Sequence, residues 1–598
     1  MALAQKVKVL IDGKNTINDR DAGDFLDLHL QQSVYGHHSL EIVYRRDHFE
    51  DDGTFIMDKS DQLFLGCSVS LTIEGRENEK LEFDGVITGV KVRKMSDAQS
   101  DTVIVEASSP DIFLNDGEHC RTFEDKTLKA IVDKILGEYQ LDSNKVKPEN
   151  AGDVLAYTVQ YKESAFAFLT RLASKKAQWF YYDGKEIIFG ARAQKKVTLE
   201  FGADLFSFDF SLKLEDLNFK YLAYDYFENE VISSESGDKQ ISNLSTKAKY
   251  AYDVSEKKFK HDTQILYNHS LTKSKSQEHL DSRVKLLKSA MTAGFIACNG
   301  ASDDADLAAG CEINIIENYG QGDNKKKVDH GNYIITSISH SCDRTGNYQN
   351  SFSAVPAEIE VPPYSSPHAI PFCETQVAKV MDNNDPDQLG RIRVQFIWQE
   401  AENTMTPWIR IVTPHAGDQK GFYFIPEIGE EVLIAFEGGN AEKPYVTGSM
   451  FHGKAAPDSA WVNADDDIKA IRTRSGHTIE FSDKDGSEEL KIYDYNKDNY
   501  VITLESHSSK IKIESKGDIE MKAQGDLNIE AVGDMKIKAA NIEMESQSDC
   551  KVKSTNMKVD ATSQYEVNAM NINNKANAQV KIEGGAMIEQ KAAIIKIN

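Results

Sequence analysis

The most regular pattern of apolar and polar positions lies near the C-terminal end of the chain. Residues 516–539 read KGDIEMKA, QGDLNIEA, VGDMKIKA, with Gly517, Gly525 and Gly533 eight residues apart and an Asp after each. Apolar pairs follow at i and i+2: Ile519/Met521, Leu527/Ile529 and Met535/Ile537. The pattern continues without glycine, at intervals of seven or eight, through Ile542/Met544, Cys550/Val552, Met557/Val559, Tyr565/Val567 and Val580/Ile582. Upstream, Ile479/Phe481, Leu490/Ile492, Ile502/Leu504 and Ile511/Ile513 read as irregular earlier members. A spacing of two is the strand period, not the helical one. Gly-Asp supplies a turn. Each unit is therefore one short strand and a bend. Two apolar side chains cannot make a core alone, so units must stack as in a solenoid. A heptad coiled coil is excluded, because its apolar positions lie three or four apart. A single-chain β-helix uses coils of about 20 residues or more, whereas one unit here supplies one face. Three chains winding together supply three faces. The pattern predicts an intertwined trimeric β-helix over 479–598, with a trimer core of Ile519, Met521, Leu527, Ile529, Met535, Ile537, Ile542, Met544, Val552, Val559, Val567, Val580 and Ile582. Lys512, Lys522, Lys536, Lys538, Lys551 and Lys553 alternate with the apolar pairs and are expected to form the outward face.

Upstream the pattern changes. In 374–453, short alternating runs (QVAKV, RIRVQF, WIRIV, EVLIAF, YVTGSM) are broken by DNNDPD, AGDQKG and EGGNAEKP. About five closely spaced strands predict an OB-type barrel. Residues 1–109 are strand-rich, 125–140 and 163–177 read as amphipathic helices, and WFYYDGKEIIFG at 179–190 reads as a hairpin turning at Asp183-Gly184. Residues 200–355 alternate again, with a helix near 276–294. The predicted fold is mainly β with some α. Two barrels (1–120 and 200–355) flank a helical segment at 121–199, then come a linker at 356–373, the OB barrel, a connector at 454–478 and the needle. Five prolines between Pro356 and Pro371 define the linker. None follows Pro457, so the repeat is free of the residue that most disrupts ladders.

Composition narrows the function. A chain of 598 residues exceeds one core. A net charge of -26 disfavours nucleic acid and anionic membranes as partners. Seven scattered cysteines with no CxxC pair exclude a zinc ribbon and fit free thiols in a reducing compartment. The N-terminus reaches a charged residue too soon for a signal peptide.

The phrases DPDQLGRIRVQF, PWIRIVTPHAG, IPEIGEEVLIAFEGGN and KPYVTGSMF resemble the OB domain of VgrG proteins, the spikes of type VI secretion systems. QYKESAFAFLTRLASKKAQWFYYDGKEIIFG is similar to that family's N-terminal domain, which shares its fold with phage tail hubs, and the repeat matches the family's needle. The resemblance implies a homotrimeric structural spike in contact with a hexameric Hcp-like tube, baseplate components, effector cargo and a PAAR-type tip protein. It implies a protein that is cytoplasmic before firing and then secreted without a signal peptide. No catalytic activity is carried over, since only WVNADDDIKAIRTRSG separates barrel from repeat and the sequence ends at AIIKIN. An extracellular injection particle, a phage-like tail spike or a trimeric receptor-binding fibre share parts of this pattern.

Candidate chemistry is sparse. Asp465-Asp466-Asp467 reads as a solvated loop, and DNNDPD lacks a calcium loop's twelfth-position Glu. Glu427, Glu430 and Glu431 flank a turn, Gly438-Gly439 reads as a hairpin, and His37-His38 has no ligand partner at HExxH or HxH spacing. No catalytic, cofactor or metal residue is assigned. Ile594, Ile595 and Ile597 are expected to form an apolar platform for the tip protein.

Overall fold

The computed structural model describes residues 5–17, 20–48, 63–76, 79–95, 101–192, 195–242, 244–261, 263–271, 275–319, 326–494 and 499–597. It divides into two compact units, Met1–Asp466 and Asp467–Asn598.

The first unit is built on a twelve-stranded sheet. One part runs Lys6–Ile11, Ser68–Glu74, Lys80–Arg93, Thr102–Ser108, Ser39–Arg45 and Asp27–Ser33, all antiparallel neighbours. The other holds Tyr348–Pro356, Ile296–Ser302 and Leu205–Leu212, with Lys196–Glu200 lying parallel to Glu312–Tyr319. The two parts share the 18-residue strand Lys326–Asp343. Its first half pairs with Glu312–Tyr319 and its second with Asp27–Ser33. The halves keep separate cores, one around Leu28, Phe83 and Val105 and one around Ile313, Ile335 and Phe352. Alternation explains this: along Tyr348–Pro356 every second residue is buried.

Helices cover the ends. Leu128–Glu138 starts at Thr127, whose hydroxyl accepts from the Ala130 N–H, and Ala165–Lys176 starts at Ser164, whose hydroxyl accepts from the Ala167 N–H. Ser276–Thr292 packs with the three strands Phe219–Asp225, Glu230–Glu235 and Thr263–Leu266 around Tyr221, Tyr267 and Val284. The helix Thr246–Lys258 was not expected. Its buried positions are Ala248, Ala251, Tyr252 and Ser255, too small and polar to raise an apolar stripe. The hairpin Trp179–Tyr182 and Ile187–Gly190 forms where the sequence places it.

The OB sheet runs Arg393–Phe396, Gln376–Asp382, Glu431–Phe436, Pro444–Ser449. The fifth expected strand, WIRIV, is reduced to bridges. Ile409 pairs with Ile392 on one side and Ile411 with Val446 on the other, so the segment crosses between strands. The OB core includes Val159 and Tyr161 from the strand Val154–Glu163. Arg393 pairs with Glu124, and Lys175 and Arg171 with buried Glu442, which ties the barrel to the helical region. The proline-rich linker is pinned too: the Tyr364 hydroxyl donates to the Gln178 carbonyl and accepts from the Phe180 N–H.

The second unit begins with a five-stranded antiparallel meander: Ile468–Arg472, Thr478–Ser482, Glu489–Tyr493, Tyr500–Glu505 and Lys510–Ser515. Its first strand lies in the stretch expected as a connector. From 516 to 597 the single chain forms no strand, and every residue is exposed.

Candidate assembly interface

The meander is inside out for an isolated chain. Cross-strand pairing aligns Ile471, Ile479, Ile492, Ile502 and Ile513 in one row, and Phe481, Leu490, Leu504 and Ile511 in a second on the same face. Ile511 is 71% exposed and Ile513 58%. The opposite face is polar and buried, with Thr478, Glu480, Tyr493 and Thr503. There the Tyr493 hydroxyl donates to Glu480, and the Arg472 Nε donates to the Thr478 Oγ1 at 2.9 Å. An apolar face of this extent marks a contact surface, because water-exposed patches of such size are rare on monomers.

The repeat repeats the theme without a sheet. Bends recur at 516–517, 524–525, 532–533, 540, 547–548, 555, 562–563, 570, 577–578, 585–586 and 593. Counted from the last residue of each bend, every expected core pair occupies the second and fourth positions, including the units that lack glycine. None of these side chains belongs to a buried cluster of the single chain; Leu527 is 58% exposed and Ile529 63%. Beyond the Lys516 N–H, which donates to the Asn499 carbonyl, no backbone–backbone hydrogen bond forms among the described residues. The bends also expose what the sequence pattern missed. Ile572 and Ile588 share the core phase, as do the polar Asn574 and Gln590. Of the platform isoleucines, Ile595 and Ile597 share that phase and Ile594 takes the alternate one.

In the first unit a hairpin arm, Ala416–Gly417 paired with Lys420–Gly421, is exposed along 414–424 and carries Phe422, Tyr423 and Phe424 in succession.

The remaining candidates are structural. Asp385 of DNNDPD accepts from the Arg391 Nε at 2.9 Å and Nη2 at 2.7 Å, and Arg391 holds its carboxyl below the ordinary carboxylate range. Glu430 accepts from the Glu427 N–H at 2.8 Å in an exposed turn. Gly438 and Gly439 form the turn between Glu431–Phe436 and Pro444–Ser449; both have positive φ, and a Cβ on Gly439 would meet the Phe372 ring at 2.5 Å. Asp465 and Asp466 are exposed. His37 pairs with Asp111 at 3.1 Å. His38 is fully buried, and burial lowers it to about 4. All seven cysteines are free thiols. Among the described residues no group of three or more His, Cys, Asp and Glu is arranged to hold a metal, and no helix is long and apolar enough to cross a membrane.

Comparison with known proteins matches these parts. Residues 376–451 fit the family model of the type VI secretion system/phage-baseplate injector OB domain, and residues 57–199 that of the phage tail baseplate hub. Over 448 residues, 66% of this chain, it is 23% identical to the actin cross-linking toxin VgrG1 of Vibrio cholerae, of which it covers 38%. Over 127 residues, 19% of this chain, it is 35% identical to the type VI secretion system spike protein VgrG1a of Pseudomonas aeruginosa, of which it covers 20%. The chain is thus similar to VgrG spike proteins in both its hub-like and its OB regions. The chain spans well under half the length of these VgrG relatives. A chain of the lidless PdpA-VgrG complex shares the fold at a TM-score of 0.54 and 9% identity, over 86% of this chain and 99% of that one. The two family models fall on the hub-like sheet with its helical region and on the OB barrel, in that order along the chain.

Proposed function

We propose that this chain works as a homotrimeric puncturing spike at the tip of a contractile injection tube, carrying effectors across a target envelope by mechanical means, without catalysis of its own. The observation that carries this reading is the second unit. Some eighty residues keep one side-chain phase from bend to bend while forming no backbone ladder and leaving their apolar pairs exposed in one chain. Burying the apolar pairs takes the neighbouring N–H and C=O groups out of water, where they need ladder partners. Winding with two further copies supplies both ladder partners and a core, with Ile519 through Ile582 in successive layers.

In this reading the hub-like sheet faces a hexameric Hcp-like tube and baseplate components. Ile595 and Ile597, with Ile594 beside them, meet a PAAR-type tip protein, and effector cargo rides on the assembly. The protein is made in the cytoplasm and leaves with the contracting machine. Negative-stain microscopy of the purified protein tests the reading: particles with a wide head and one thin needle support it, and compact heads with flexible tails overturn it.

A further inference from the structure

Charge alternates along the fifth position after each bend and largely along the third, though not along the first, where Asp518, Asp526 and Asp534 adjoin. The inference from this alternation rests on the trimeric winding proposed above and names the surface that sets its register. If each bend turns the chain onto the next face, threefold symmetry fixes the neighbours on any face: unit n of one chain lies between units n−1 and n+1 of the other two. All chains wind the same way, so these ladders are parallel, and equivalent positions after each bend stand side by side.

The bends identify those positions. The fifth residue after successive bends is Lys522, Glu530, Lys538, Glu545, Lys553 and Asp560. After the neutral Asn568 come Lys575, Glu583 and Lys591. Sign alternates at every step, and no two like charges adjoin. The third position shows the same tendency: Lys536, Glu543 and Lys551 alternate, as do Lys581, Glu589 and Lys596, with one like-charged step between Lys551 and Lys558. Within the single chain Lys538, Glu543, Glu545 and Lys553 form no ion pair. The pairs that do form here, such as Lys551 with Asp549 at 2.9 Å, lie within one unit.

We infer that these columns are ion-pair ladders between different copies of this chain, and that they fix which unit lies beside which. The apolar core cannot do this, because its layers are nearly interchangeable and a slip by one unit would leave it buried. The same slip places Lys beside Lys and acid beside acid along the fifth-position column from Lys522 to Asp560. Opposite charges on adjacent strands favour pairing and like charges oppose it.

Two experiments on the full chain test this. In trimers assembled from a mixture of ordinary and heavy-isotope chains, a zero-length carbodiimide cross-linker should join Glu545 to Lys538 or Lys553 across copies. Cross-links confined to single copies would overturn the inference. Exchanging one pair, Lys538→Glu with Glu545→Lys, keeps the net charge but creates two like-charged steps per chain. It should lower the needle's thermal midpoint at low ionic strength by about 3 °C or more, a loss that salt erases. Inverting the column, with Lys522→Glu, Glu530→Lys, Lys538→Glu, Glu545→Lys, Lys553→Glu and Asp560→Lys, also keeps the net charge and restores alternation, so it should recover the midpoint. An exchange variant as stable as the parent, or an inverted one no better than the exchange, refutes the ladders. A parent protein that is not trimeric instead refutes the winding itself.

Discussion

Replacing Ile529 with Asp probes the inward register directly. In the single chain Ile529 is 63% exposed, so assembly has most of its side chain left to bury. Full burial of such a side chain stabilises by about 1.5–3 kcal/mol, which leaves roughly 1–2 kcal/mol per chain for the exposed part. One layer holds three copies, hence about 3–6 kcal/mol. The aspartate forfeits this and brings three carboxylates to one axis. Holding each of them protonated at pH 7 costs about 4 kcal/mol per group, from a reference value near 3.9. The layer therefore turns from stabilising to opposing assembly by on the order of 10 kcal/mol or more. Light scattering after gel filtration should show loss of trimer, or a trimer whose needle is cleaved by protease near 529. Acidification should rescue it, because buried carboxyls take up protons and shed their charge as pH falls. Asn573→Asp, at an outward position between Glu566 and Lys581 of neighbouring units, should assemble normally at every pH. An Ile529→Asp trimer as stable and protease-resistant as the parent would refute the inward register.

Glu442→Gln removes the buried partner of Lys175 and Arg171, and should destabilise the first unit by roughly 3–5 kcal/mol in denaturant unfolding. Burial holds His38 at about 4 and His340 at about 3, below the ordinary 6.5, so the unfolded chain binds their protons first. Their stabilisation is fully present above pH 6.5 and declines as pH falls toward 4 and 3. Between pH 7 and 5 each should cost about 2 kcal/mol, read from urea midpoints. Truncation after Gly585 should leave the trimer intact and abolish capture of the cognate tip protein in a pull-down.

Much of this molecule was legible in its sequence where partners are local. EVLIAF and YVTGSM become the OB strands Glu431–Phe436 and Pro444–Ser449 because alternation and bounding turns fix both ends. Likewise Trp179–Tyr182 and Ile187–Gly190 close across a short turn. The twelve-stranded sheet was not legible as one sheet. Pairing of Asp27–Ser33 with residues 337–343 joins segments some three hundred positions apart, and no local pattern encodes such a partner. The pairs from Ile479 to Ile513 look alike whether a strand pairs within its chain or with another. The structure folds them into a meander, although they read as members of the winding repeat. Conversely, the bends of 516–597 recover the phase of Ile572, Asn574, Ile588 and Gln590, which loss of the glycines had hidden.

The central claim is that the second unit is completed by two further copies. Sedimentation of the full chain at micromolar concentration tests it most directly. The account predicts a single elongated species of three times the chain mass of 66.9 kDa, persisting on dilution and in denaturants that unfold ordinary globular domains, since wound strands must unthread before they separate. A folded, stable monomer at that concentration would contradict it.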